Sequence, residues 1–126
     1  MTNFNFKAND SDKITHIGTA GGWVKASTGY SFKFTEKNCN KIVEQILTNQ
    51  KPIGLVKKKK YDFYDRLFLT ILKNDNYVGP RVFNDMFKNV PINKVFKFLD
   101  EETSLLEDIK IIIKLPYLPF LKALLK

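Results

Sequence analysis

Apolar residues along this chain recur mostly at helical spacing. Between residues 29 and 48, Cys39, Ile42, Val43, Ile46 and Leu47 fall at i, i+3, i+4, i+7 and i+8, which predicts a helix buried along that stripe. Cys39 lies on the stripe and is expected as a small core residue rather than a nucleophile. Tyr64, Leu67, Phe68, Ile71 and Leu72 repeat the pattern and predict a helix over residues 61–73. Gly79-Pro80 opens a third helix with Val82, Phe83, Met86, Phe87 and Val90 inward, and Pro91 suits the first position of a fourth. Ser104-Leu105-Leu106-Glu107 has the spacing of a capping box, so a helix is expected from there through Ile113. Pro116 and Pro119 then break or kink the apolar tail.

The amino-terminal part reads differently. Residues 13–18, Lys-Ile-Thr-His-Ile-Gly, have the β-branched content of a short strand that delivers the chain into a glycine turn. Gly18, Gly21 and Gly22 allow positive φ and close approach of a ligand, and Ser27 or Thr28 is placed to cap a helix beginning near Gly29. The N–H groups and dipole of such a helix start favour negative charge just outside it. The same glycines also suit a tight turn required only by packing, and the residues alone leave both readings open. His16 stands by itself and is expected as a strand residue, not a metal ligand.

The 126 residues suffice for one core, with 21 Lys and Arg against 13 Asp and Glu, a net charge of +8. That sign fits an anionic partner, whether nucleic acid, a membrane surface or a phosphorylated cofactor. A single cysteine excludes an internal disulfide, and the first twelve residues lack the pattern of a signal peptide, so a cytoplasmic setting is expected. The run Lys57 to Lys60 reads as a solvated loop able to attract an anionic bilayer. Residues 105–125 carry too many charges and prolines for a transmembrane span, but Ile109, Ile112, Ile113, Leu118, Leu121 and Leu125 among lysines suit either an interfacial position or burial against further domains.

The string from Ile17 to Tyr30, Ile-Gly-Thr-Ala-Gly-Gly-Trp-Val-Lys-Ala-Ser-Thr-Gly-Tyr, resembles the Ile-Gly-x-Ala-Gly-Gly-x-x-x-Pro-Ser-Thr-Gly-Tyr segment of the lycopene cyclase family. The Phe63-Tyr64-Asp65-Arg66 block, the Gly79-Pro80-Arg81-Val82-Phe83 block and Phe98-Leu99 followed by Leu105-Leu106-Glu107-Asp108 are similar to later helical blocks of that family, in the same order. The resemblance covers nearly the whole chain. Lys25-Ala26 stands where His-Pro is common in plant members, and Thr19 occupies the place where many other flavoproteins carry an aspartate.

The resemblance implies a mainly α segment, one or two short amino-terminal strands followed by five or six helices, from the C-terminal part of an α/β Rossmann-like FAD/NAD(P)-binding flavoprotein. It implies one segment over residues 1–126, with strand, glycine motif and flavin-side helix in 1–50 and a helical cap or membrane-facing region in 51–126. Met1 would then be an internal methionine, and the amino-terminal Gly-x-Gly-x-x-Gly fingerprint would lie upstream.

By the same resemblance, Gly18, Ala20, Gly21, Gly22, Ser27, Thr28, Gly29 and Tyr30 approach reduced FAD, with NAD(P)H as electron donor. Lycopene would be the substrate, cyclised to β-carotene without net redox change, at a peripheral membrane surface. The catalytic acid would lie upstream. Phe98-Leu99-Asp100-Glu101-Glu102-Thr103 looks like a catalytic stretch of plant cyclases but falls too late in the chain, and is expected as an exposed acidic turn before the next helix. The alternatives are a basic helical module that binds nucleic acid or membrane, and part of another flavoprotein such as an isoprenoid reductase or halogenase.

Overall fold

The computed structural model describes residues 14–125. The chain divides into two compact units, Met1–Lys57 and Lys58–Lys126. Among the described residues there are six helices, in keeping with a mainly α chain: α1 (Phe32–Leu47), α2 (Lys59–Asn74), α3 (Val78–Asn89), α4 (Ile92–Leu99), α5 (Leu105–Ile112) and α6 (Tyr117–Leu124). The expected strand reduces to an isolated bridge at Ile14; residues 15–17 run without a ladder, and Lys13 lies outside the described residues.

Among the described residues of the first unit, Trp23, Lys25 and Asn38 are buried, and α1 is held by polar side chains rather than by its apolar stripe. The Asn38 carboxamide donates to Phe34 O at 2.7 Å and accepts the Leu55 N–H at 2.6 Å. One face further along, Gln45 Oε1 accepts the Ile53 N–H at 2.8 Å. Asn38 and Gln45 are seven residues apart and share a helix face, so α1 takes the alternate amides of the returning segment much as a neighbouring strand would. Gly54 lies between these two bonds, where a Cβ would stand 3.0 Å from Asn38 Oδ1 and 3.3 Å from Trp23 Nε1.

This fixes the rotation of α1 and corrects the sequence expectation. With Asn38 turned inward, Cys39 is exposed, and Val43, Ile46 and Leu47 face outward. The helix ends in a Schellman motif: Gln50 N–H reaches Gln45 O, Asn49 N–H reaches Ile46 O, and Asn49 takes φ 54°.

In the second unit, α2 packs on α6 and α3, and α3 on α4. Tyr61, Phe68, Ile71, Val82, Met86, Val90, Val95, Leu99, Ile111 and Leu115 are buried. Phe68 stacks on Phe120 at 6.5 Å and meets the Phe83 ring edge-on at 5.6 Å, joining α2, α3 and α6 around one ring. At the α2–α3 corner a Cβ on Gly79 would lie 2.8 Å from Leu72 Cδ2, so a side chain there would displace the end of that leucine. Pro91 serves as the N-cap of α4, one position before that expected. Phe87, expected inward, is about half exposed on α3.

The capping box of α5 forms as its spacing predicts, with Glu107 N–H donating to Ser104 Oγ and the Glu107 carboxylate accepting Ser104 N–H. Pro116 is the N-cap of α6, and Pro119 falls in its first turn, where the missing N–H costs no helical bond. The apolar tail thus breaks at Pro116, as expected, and a new helix starts there.

Candidate functional site

The residues expected to form an anion cradle fall in two consecutive turns of the first unit. In the first, Trp23 N–H donates to Gly18 O at 2.9 Å, Gly22 N–H to Thr19 O at 3.1 Å and Gly21 N–H to Ile17 O at 3.0 Å. This is the geometry of a helix end built on a single turn, with Gly22 at φ 69° in the left-handed position that such an ending requires. Gly18, at φ 58°, supplies the entry. Gly21 is needed for a different reason: a Cβ there would run into the His16 carbonyl and approach Trp23 Nε1. His16 is thus a backbone wall for the turn.

The second turn closes on itself. Gly29 N–H donates to Lys25 O and Lys25 N–H to Tyr30 O, both at 2.9 Å, with Gly29 at φ 73°. Thr28 Oγ1 accepts the Tyr30 N–H at 3.2 Å, two residues on. Neither Ser27 nor Thr28 caps α1. Gly29 in the left-handed region cannot open a right-handed helix, so α1 waits until Phe32 with Ser31 as N-cap, and the Ser31 side chain makes no capping bond. No acidic residue lies in the first turn of α1.

Of the eight predicted residues, then, Gly21, Gly22, Gly29 and Tyr30 commit their amides to the loop. The leading amides at Gly18 and Ala20 have no acceptor among the described residues. Open space lies over the α-carbons of Gly18 and Gly29, where an added Cβ would meet nothing within 4 Å. Each of these two α-carbons is open to close approach, and the first turn of α1 carries no acidic residue that would repel an anion. Gly18, Ala20 and Gly29 are the positions at which the loop stays open, and Gly21 and Gly22 form its frame.

A second cluster, in the other unit, escaped the sequence reading. Asp108 on α5 is fully buried and accepts from Lys60 Nζ at 2.7 Å, Tyr64 OH at 3.2 Å and Thr103 Oγ1. Lys60 also donates to Thr103 O at 2.6 Å, and the Tyr61 hydroxyl lies 3.1 Å from the same carbonyl. Burial draws the Lys60 ammonium towards its neutral form, but its bonds to Asp108 and Tyr61 outweigh this and hold its pKa above the ordinary 10.5. Burial first, then the Asp108 charge, raises Tyr64 above 10.0. A signal was available: Asp108 shares the i, i+3, i+7 register of the buried Ile111 and Leu115.

The lysine run straddles the start of α2: Lys58 and Lys59 are exposed as expected, whereas Lys57 and Lys60 are half-buried. Lys58 Nζ donates to Glu101 O at 3.1 Å, Lys60 joins the cluster, and within the first unit Lys57 Nζ donates to Val24 O at 2.9 Å. The acidic turn is not exposed: Glu101 is buried at φ 63°, the left-handed residue of a Schellman motif in which Glu102 N–H reaches Lys97 O and Glu101 N–H reaches Phe98 O. Every buried side-chain N and O among the described residues has a partner, and the Asp108 cluster pins α2 to α5.

The family model described as lycopene cyclase protein matches residues 1–125. Neither a curated protein nor a solved structure matches the chain.

Proposed function

Because the chain belongs to the lycopene cyclase family, we propose that it is the C-terminal part of a lycopene β-cyclase, which converts lycopene to β-carotene by acid-initiated, redox-neutral ring closure. The observation that carries this reading is the glycine loop with its open α-carbons at Gly18 and Gly29, in a chain of that family. Reduced FAD, kept reduced by NAD(P)H, would supply negative charge beside the cationic transition state. Gly18, Ala20 and Gly29 would admit the cofactor at van der Waals distance, while Gly21, Gly22, Ser27, Thr28 and Tyr30 keep the two turns in shape. The N-terminus of α1 would favour the anionic form of the group it faces.

The acid that protonates the alkene would come from upstream sequence, as would the adenosine grip. Exposed Val43, Ile46 and Leu47 on α1 support a fold completed by further chain. The enzyme would work at a membrane surface, where its hydrocarbon substrate resides. Among the described residues no helix is long and apolar enough to cross a bilayer.

The test is expression of the complete protein in a lycopene-accumulating host. Conversion of lycopene to a ringed carotenoid is expected, and unchanged lycopene overturns the reading. The 126-residue chain alone is expected to hold no flavin; stoichiometric flavin absorbance on it would overturn the division of labour between segments.

A further inference from the structure

One peptide plane of the glycine loop is held from both ends. Its N–H, on Lys25, donates to Tyr30 O at 2.9 Å and closes the second turn together with the bond from Gly29 N–H to Lys25 O. Its carbonyl, on Val24, accepts Lys57 Nζ at 2.9 Å. Because the peptide group is planar, fixing the direction of the carbonyl also aims the N–H on its far side. The bond is charge-assisted, roughly twice as strong as one between neutral groups. An ammonium on the carbonyl oxygen also polarises the amide and makes its N–H a better donor to Tyr30 O.

Lys57 is itself carried by a fixed frame. The returning segment that leads to it is tied by Thr15 Oγ1 donating to Pro52 O at 2.7 Å, Ile53 N–H to Gln45 Oε1 at 2.8 Å and Leu55 N–H to Asn38 Oδ1 at 2.6 Å. The Lys57 ammonium stands 5.8 Å from the centre of the Phe34 ring, in the first turn of α1. The Trp23 indole backs both Gly21 and Gly54, where a Cβ would lie 3.0 Å and 3.3 Å from Nε1. Loop and returning segment thus share one wall, and of the four-lysine run it is Lys57 that falls in this unit.

We propose that Lys57 is a positioning residue for the glycine loop: its ammonium on Val24 O locks the second turn, and so fixes the opening at Gly29 that receives the anionic group. The inference rests on the flavin reading of that loop and names the side chain that sets its geometry. Lys57→Met keeps the length of the side chain but makes no bond to Val24 O, whereas Lys57→Arg can donate to the same carbonyl and lie over the Phe34 ring.

The experiment has two arms. In the 126-residue chain, amide hydrogen exchange of Lys25 and Gly29 is expected to quicken about tenfold in Lys57→Met. The Ile53 and Leu55 amides should stay within about twofold, and Lys57→Arg should restore the slow rates. In the complete protein, the Kd for FAD, followed by flavin fluorescence, should rise about tenfold in Lys57→Met and return in Lys57→Arg.

Unchanged exchange at Lys25 and Gly29, equal acceleration at Ile53 and Leu55, or failure of Lys57→Arg to restore either readout overturns the proposal. Weaker FAD binding with unchanged exchange would make the ammonium a direct partner of the anion and overturns positioning. A loosened turn with FAD affinity unchanged overturns it as well. Wild-type complete protein that takes up no FAD overturns the flavin reading, while the exchange arm still decides whether Lys57 locks the turn.

Discussion

The Asn38 side chain and the Leu55 backbone amide meet at 2.6 Å, and through this bond a helix holds an extended segment seventeen residues away. Asn38 is completely buried, and its other end is spent on Phe34 O. Asn38→Ala removes both bonds and leaves the Leu55 N–H without its acceptor, which is expected to lower the stability of the first unit by about 2 kcal/mol. Asn38→Asp cannot donate to Phe34 O and should fall between the two. Urea unfolding followed by the fluorescence of Trp23, buried in this unit, reports the change.

Gly18 and Gly21 are required for opposite reasons, and substitution separates them. Gly18 needs a left-handed backbone but has room for a side chain, so Gly18→Asn should cost under about 1 kcal/mol. Gly21 has no room: Gly21→Ala drives a methyl into the His16 carbonyl and should cost about 2 kcal/mol or more. Equal melting temperatures for the two variants would contradict this assignment.

The Lys60–Asp108 pair sets an alkaline limit on the second unit. Both Lys60 and Tyr64 are raised in the folded state, so the stability they contribute is complete below their ordinary values of 10.5 and 10.0 and is lost as pH climbs through the higher folded ones. Asp108→Asn should destabilise the unit by about 3 kcal/mol at neutral pH and flatten its decline above pH 10. Glu107 works with the opposite sign. The bonds from Lys94 and Lys97, then Ser104 N–H, hold its carboxyl well below 4.5, so its contribution is present above that value and lost on acidification. Glu107→Gln should remove that acid dependence, read by circular dichroism along a pH titration.

Cys39 is expected to react with a thiol reagent such as dithionitrobenzoate in the native chain as fast as in urea, because it is exposed. Protection of the native thiol by tenfold or more would place it back on a buried face.

The helices of the second unit were legible because their apolar spacing and punctuation agree: Phe68, Ile71, Val82 and Met86 are buried as their register requires, and the Ser104 capping box forms as spelled. The first unit was less so. Its apolar stripe on α1 suggested the wrong face, since the rotation of that helix is decided by two carboxamides reaching backbone amides, an interaction without a hydrophobic signature. The glycine loop was found by its composition, but the positions of its hydrogen bonds were not. Gly29, read as a helix start, is a left-handed turn residue, which pushes α1 three residues on. Glu101 looked solvated because it is charged, yet a Schellman ending draws it under cover.

The bonds that secure the first turn of α2 come from residues 42 to 48 positions later in the chain. During synthesis, the ammonium groups of Lys57 to Lys60 leave the ribosome together, with the residues that will receive Lys58 and Lys60 still untranslated. Docking of this turn therefore belongs to the end of folding, once the α5 carboxylate has emerged and the long intervening loop can close. A nascent chain stalled between α4 and α5 would carry its helices but not the tie that orders them.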